Sequence, residues 1–205
     1  NLIISRIDME NEVGEDNKKV IKGQALFFRA YFYNFLANLY GGVPLILEEA
    51  TEPRKDYVRA TREATYDQAR QDLEDAIKML NDITKAKDGE VNIQAAQHLL
   101  AEVYISLGDY SKAIAAATAV ITHPSMGLMK TRFGSRKDET GDPYWDLFQL
   151  NNQNRSSGNT ETIWALQYEY KNSGSSYSNE MPRWLLPYYE GLNVRDKEDK
   201  KNVKA

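Results

Sequence analysis

The residues best suited to bind a ligand lie in the last part of the chain, where large aromatic rings alternate with amides in sequence rich in Asn, Ser and Gly. Rings on loops present flat apolar faces, and amide and guanidinium groups supply hydrogen bonds. Sugars need this combination, because their rings have apolar C–H faces and polar edges. The predicted ligand-binding set consists of Tyr177, Trp184, Tyr188, Tyr189, Asn172, Asn179 and Arg183.

A structural role for the same rings is the alternative interpretation. Tyr144 and Trp145 lie earlier in similar sequence and belong to the same group. Each of these rings can also serve only to pack a loop onto neighbouring helices. A ligand-binding protein should gather several rings in one exposed concavity, whereas a purely structural role buries or scatters them. The sequence leaves both interpretations open.

No pattern in the sequence predicts catalysis, a cofactor or a metal site. The two histidines, His98 and His123, lie on different elements without a second ligand at helical spacing, so we interpret them as surface or boundary residues. The absence of Cys removes disulfides and thiolate ligands. No nucleophile elbow or phosphate-binding loop is present. The carboxylates are interpreted as solvated helix faces, although a glycosidase would need only two of them facing one cleft.

One run of oxygen-bearing side chains resembles a calcium loop without completing it. The alternating residues are Asp138, Thr140, Asp142 and Asp146. Pro143 stands where such a loop needs Gly, and Gln149 stands where it needs a bidentate Glu. We therefore predict no calcium site here.

A helix of unusual composition is predicted from Lys19 to Tyr40. The stretch from Gly23 onward reads GQALFFRAYFYNFLANLYGGVPLI, with apolar residues on nearly every face. Glycines at its end allow a left-handed closing turn, and Pro44 prevents the helix from resuming. A helix that is apolar all round must be wrapped by other elements, so we expect it to be the most buried. The rings expected in the core are Phe27, Phe28, Tyr31, Phe32, Tyr33 and Phe35.

Arg29 is the one charge inside this helix. A buried guanidinium must be paired, because an uncompensated buried charge is costly. We expect an ion pair with a carboxylate from a neighbouring helix, and a ligand-facing role is the alternative.

Four further helices follow from spacing and capping residues. The first runs from about Asn1 to Glu12, and the third begins at Thr61, whose hydroxyl can cap it. The fourth begins at Asn92, and a turn at Gly108-Asp109 separates it from a fifth that ends before Pro124. The last two helices should form a hairpin with small side chains at their crossing: Ala96, Ala101, Ala113 and Ala117. Beyond them, Thr162 to Tyr168 reads as a short strand.

The composition indicates a globular chain of 205 residues. Its net charge of −4 argues against a nucleic-acid surface, which needs a clustered basic field. The fold class is mainly α, with little β. We divide it into a helical core, residues 1–124, and a loop-rich part, residues 125–205, packed on the helices as one compact unit.

Three stretches carry resemblances to known families. Leu100, Ala101, Tyr104, Gly108 and Tyr110 fall at the spacing of a tetratricopeptide repeat, although Gln97 replaces its usual Trp. The aromatic helix resembles the signature helix of the SusD/RagB family of outer-membrane nutrient-binding lipoproteins, with Gln24 in place of the usual Glu. The hairpin stretch AAQHLLAEVYISLGDYSKAIAAATAVI resembles the repeat-bearing part of that family. So does the Asn/Ser-rich loop followed by TIWALQY.

The SusD/RagB resemblance implies a surface-exposed, lipid-anchored protein of the outer membrane. It would bind a nutrient, most often a glycan, and deliver it to a SusC-like TonB-dependent transporter. The resemblance runs from residue 1 to about residue 170, so we expect a piece of a longer protein whose lipid anchor lies outside this chain. A helical-repeat scaffold that binds proteins and no sugar is the alternative.

Overall fold

Six α-helices and three short 3-10 helices make up the regular structure of the computed structural model, which describes residues 1–167. Residues 1–165 form one compact unit. No helix in the described range is both long and apolar enough to cross a membrane. The α-helices are α1 Leu2–Arg6, α2 Glu15–Tyr40, α3 Arg62–Ile77, α4 Ile93–Leu107, α5 Tyr110–Ile121 and α6 Pro143–Leu147.

The helices α2 to α5 pack in chain order, each against the next. The predicted caps are present, since the side chain of Thr61 accepts from Ala64 N and that of Asn92 accepts from Ala95 N. Gly108 closes α4 with a φ of 77°, a left-handed conformation that favours glycine. The predicted hairpin of α4 and α5 and the mainly helical, tetratricopeptide-like fold are therefore confirmed.

The hydrophobic core lies between α2, α3 and α4, where small side chains alternate with large ones. Ala30 and Ala37 of α2 are buried and let α3 approach closely. The centre of the core is filled by the fully buried side chains of Tyr66, Leu73 and Val103. Close packing of this kind provides most of the stability of a helical hairpin domain.

The prediction that α2 is the most buried helix is wrong. Eight of its 26 residues are buried, whereas eight of the 15 residues of α4 are buried. Phe27 and Tyr33 belong to the core as predicted, but four rings on the opposite side of the helix are exposed: Phe28, Tyr31, Phe32 and Phe35. Two apolar stripes run along α2, and within residues 1–165 neighbouring helices cover only one of them.

Arg29 pairs with a carboxylate on α3, as predicted. Its Nε and Nη2 donate to Asp72 Oδ2 and Oδ1 at 2.7 and 2.6 Å, and the Asp72 side chain is only 4% exposed. Its Nη1 also donates to Leu47 O at 3.1 Å. The hydrogen bond to Asp72 raises the pKa of the Arg29 guanidinium even though burial opposes the charge. Arg29 thus joins α2, α3 and the chain that follows α2.

A closed loop connects α2 to α3, and Arg59 fastens its two ends together. The Arg59 guanidinium donates to the carbonyl oxygens of Tyr40 and Gly42 at the end of α2. A cation suits this position, because the carbonyl end of a helix carries partial negative charge. Gly42 is required here, since a Cβ would lie 1.9 Å from the carbonyl oxygen of Ala60.

Three predicted boundaries are corrected by the structure. The first helix ends at Arg6 and continues only as a 3-10 turn to Met9, because Asp8, Glu10 and Glu12 would place three carboxylates at its negative end. The helix α2 begins four residues earlier than Lys19, where Glu15 and Asp16 suit its positive end. Residues 162–167 form no strand.

Residues 122–165 contain few regular elements and are held largely by buried polar groups. Asp146 is fully buried and accepts from Arg132 Nε at 2.6 Å and from Phe133 N at 3.0 Å. The Arg132 hydrogen bond holds the pKa of Asp146 below its ordinary value. Because Asp146 is engaged and Asp142 caps α6, these two carboxylates are not free for calcium. The described residues contain no group of three or more metal-binding side chains.

Candidate functional site

The strongest candidate for a ligand site is a groove of about 390 Å³ between α2, α4 and the segment after the last 3-10 helix. One wall comes from α4, where residues 95, 98, 99 and 102 share a face through their three-and-four spacing. A second wall is Phe27 and Tyr31, one turn apart on α2. The third is the segment 161–164. We call this space the aromatic groove.

Trp164 forms the third wall and is held in one orientation by hydrogen bonds and ring contacts. Asn92 caps α4 with its side-chain oxygen and donates from Nδ2 to Ile163 O at 2.8 Å. The indole N–H of Trp164 donates to Gly89 O at 3.0 Å. The Trp164 ring meets Phe27 edge to face, with 5.6 Å between centroids. With its N–H satisfied, Trp164 can meet a ligand only through its ring.

Tyr31 supplies an accessible ring beside Trp164. It is 37% exposed and lies nearly parallel to Phe27, with 6.3 Å between the ring centroids. Among residues 1–167 no group hydrogen-bonds to the Tyr31 hydroxyl. The ring therefore offers an apolar face at the edge of the groove, together with a hydroxyl that the described residues leave without a hydrogen bond.

The polar groups of the aromatic groove are His98, Glu102 and Glu161. His98 Nδ1 and Glu102 Oε1 are 3.9 Å apart, and the two side chains are 57% and 55% exposed. Glu161 is fixed more firmly, because its Oε1 accepts the backbone N–H of Met129 at 2.6 Å. Rings with hydrogen-bond acceptors beside them form the kind of surface that sugars bind.

A larger space of about 860 Å³ lies inside the loop of residues 44–58. It is bounded by that loop alone and offers one ring, Tyr57. Because it lacks a second rigid wall, it defines a ligand less well than the aromatic groove.

The predicted ligand-binding residues are not among those described. Tyr177, Trp184, Tyr188, Tyr189, Asn172, Asn179 and Arg183 all lie outside residues 1–167. Of the earlier loop rings, Tyr144 is 71% exposed and contacts Phe148, with 5.2 Å between centroids. Trp145 is half-buried, and Arg132 and Arg136 lie over its ring.

Sequence reasoning missed the aromatic groove because it assigned Phe27 and Tyr31 to a single all-round core. The available signal was the position of Ala30 and Ala37, since small residues mark the side of a helix that another helix approaches. The exposed rings of α2, Tyr31 among them, then lie on the other side of the helix. No comparable signal placed Trp164 against them.

The packed helical hairpins, with the aromatic groove along one side, place this chain among the helical-repeat proteins. The sequence is similar to one family in particular. The SusD-like family model described as starch-binding and associating with the outer membrane matches residues 1–105, just over half of the chain. The chain therefore belongs to the SusD-like family.

Individual relatives agree with this assignment. SusD-like protein P2 of Formosa agariphila is 29% identical over 174 residues, which is 82% of this chain and 32% of that protein. A SusD-like protein from Bacteroides fragilis shares the fold with a TM-score of 0.68 at 23% identity, over 83% of this chain and 31% of that one. A laminarin-binding SusD-like protein matches with a TM-score of 0.56 at 25% identity, over 75% of this chain and 33% of its own. The chain thus spans about a third of the length of these relatives.

Proposed function

We propose that this protein is a surface-exposed binding protein for glycans, held at the outer membrane by a lipid anchor. It would capture a nutrient outside the cell and pass it to a SusC-like TonB-dependent transporter. The observation that carries the proposal is the aromatic groove, where Tyr31 and Trp164 lie beside Glu102 and Glu161. The family's description as starch-binding and one relative's as laminarin-binding support a glycan ligand.

Binding without catalysis is the role that the groove supports best. Two carboxylates do line it, and a glycosidase also needs two. However, a general acid works when its carboxyl group is desolvated. The Glu102 side chain is 55% exposed, and Glu161 is engaged with a backbone N–H. Incubation with starch and laminarin oligosaccharides, followed by analysis for shortened products, tests this part of the proposal directly.

The glycan test compares two rings of the same helix. Tyr31→Ala removes a wall of the groove, whereas Phe35→Ala removes a ring one turn further on that is 52% exposed and outside the groove. Calorimetric titration with starch and laminarin oligosaccharides should show about threefold to tenfold weaker binding for Tyr31→Ala, since one ring contact contributes about 0.5–1.5 kcal/mol. Phe35→Ala should bind like the wild type.

Two results would contradict the groove as the glycan site. The first is equal affinity in Tyr31→Ala and the wild type. The second is loss of affinity in Trp184→Ala alone, which would place the ligand on the predicted loop residues instead. Trp184→Ala therefore belongs in the same titration series.

A scaffold that binds another protein is the second candidate, and the exposed stripe of α2 favours it. Phe32, Phe35 and Leu39 are each more than half exposed and lie on one side of the helix. Exposed apolar patches of this kind commonly mark protein interfaces. The two candidates separate when glycan titration and co-purification with the transporter are performed on the same preparation. A scaffold for another protein shows no glycan binding and does not co-purify with the transporter.

Contact with the transporter would fall mainly to the helices of residues 1–124. Helical hairpins are rigid and present long ridges, which suits a broad protein contact. A lipid anchor keeps the local concentration high, so the contact itself can be weak. Co-purification from gently solubilised outer membranes, with the ligand present, is the test. A lipidated protein that never brings down a transporter contradicts this part.

A further inference from the structure

The fixed charges that line the aromatic groove are negative. Its lining includes the carboxylates of Glu102 and Glu161, together with the imidazole of His98. No Lys or Arg from the described part of the chain lines it. A ligand that enters this groove therefore meets negative charge, and residues 1–167 place no Lys or Arg in the lining to offset it.

Both carboxylates keep oxygen atoms available for a ligand. Glu161 uses Oε1 to accept from Met129 N at 2.6 Å, and no other group within residues 1–167 hydrogen-bonds to its side chain. Glu102 lies 3.9 Å from His98, which is too far for a hydrogen bond. The groove thus offers several unfilled acceptors next to the faces of Tyr31 and Trp164.

We propose that this groove selects neutral glycans and rejects those that carry uronic acids or sulfate groups. The inference rests on the proposed function and adds the chemical class of the glycan. Sugar hydroxyls can donate to Glu102 and Glu161, and hydrogen bonds to an ionised acceptor are stronger than neutral ones. A sugar carboxylate or sulfate has no such donor and is repelled. Selectivity of this kind comes from a repulsive element as much as from an attractive one.

Salt dependence separates this repulsion from a poor steric fit. Exposed charges about 10 Å apart are screened at about 0.1 M salt, and screening is stronger at higher concentration. Charge repulsion in the groove should therefore weaken as salt is added. A steric misfit between an anionic sugar and the walls should not change.

The experiment titrates the protein with a neutral gluco-oligosaccharide and a uronic-acid oligosaccharide of equal length. The variants are Glu102→Gln, Glu161→Gln and their combination. The amide oxygen of Gln at position 161 can still accept from Met129 N, so this variant should fold. Glu52→Gln is the matched control, because it makes the same charge change on the loop of residues 44–58, outside the groove.

At about 0.02 M salt we expect the uronic-acid ligand to bind at least about tenfold more weakly than the neutral one. The difference should shrink at about 0.5 M salt and nearly vanish in the double variant, while Glu52→Gln retains it. Equal or tighter binding of the uronic-acid ligand by the wild type overturns the selectivity and leaves glycan binding intact. A difference that persists in the double variant also overturns it. If no glycan of either class binds, the proposed function itself fails.

Discussion

The buried ion pair between Arg29 and Asp72 allows a quantitative test of how α2 and α3 are held together. The two side chains are 15% and 4% exposed and form two hydrogen bonds with each other. Removing one partner from such a pair leaves a buried charge uncompensated and typically costs about 3–5 kcal/mol. Asp72→Asn keeps the shape of the side chain and removes its charge, so we expect a loss of unfolding free energy within this range.

Replacing both partners should cost much less than replacing one. In Arg29→Met combined with Asp72→Leu no charge is left uncompensated, and apolar replacements of a buried pair are often nearly neutral. The double variant still loses the hydrogen bond from Arg29 to Leu47 O. We therefore expect it to lie about 1–2 kcal/mol below the wild type.

Urea unfolding followed by circular dichroism gives these free energies on one scale. Asp56→Asn serves as the control, because Asp56 and its partner Arg54 are 71% and 59% exposed and their separation should not change the midpoint measurably. The reasoning is refuted if Asp72→Asn loses less than about 1 kcal/mol. It is also refuted if the double variant is less stable than Asp72→Asn.

Two further predictions concern the rings of the helical core. Phe27 is 2% exposed, so Phe27→Ala should lower the free energy of unfolding in urea by about 3–5 kcal/mol. Phe28 is 37% exposed, so Phe28→Ala should lower it by less than half as much. Equal losses in the two variants would contradict the two-sided description of α2. Burial and the hydrogen bond to Glu74 raise the pKa of Tyr104 to about 12, so its proton is held more tightly in the folded state. The corresponding stability is complete below about pH 10 and is lost as the pH rises toward 12. Tyr104→Phe should flatten the alkaline fall of the urea midpoint, and the exposed Tyr110→Phe should not.

The helical hairpins were predictable because their signals are local. The side chains of Thr61 and Asn92 cap their helices by accepting a backbone N–H three residues further along the chain. Gly108 turns the chain through its own left-handed backbone conformation. The ion pair of Arg29 was also predictable, because a charge among apolar residues must find a partner. The sequence did not identify Asp72 as that partner.

The two faces of α2 and the aromatic groove were not predictable in the same way. Two apolar stripes look alike on a helical wheel, and only tertiary packing decides which is covered. The position of Trp164 depends on two hydrogen bonds between residues far apart in sequence. Asn92 donates to Ile163 over a separation of 71 residues, and Trp164 donates to Gly89 over a separation of 75. Contacts at such separations leave no periodic trace in the sequence.

Because Arg59 holds the two ends of the α2–α3 loop together, the loop should tolerate inserted residues. The loop is already closed at its base, where Ala60 N donates to Val43 O at 3.2 Å. For a closed loop, each doubling in length costs only about 0.6 kcal/mol of chain entropy. Hydrogen bonds join residues 46–49 to Asn1, α1 and α2, whereas the side chains of Arg54 and Asp56 pair with each other within the loop. An epitope inserted next to Thr51 would therefore add a visible label at little thermodynamic cost to the helices.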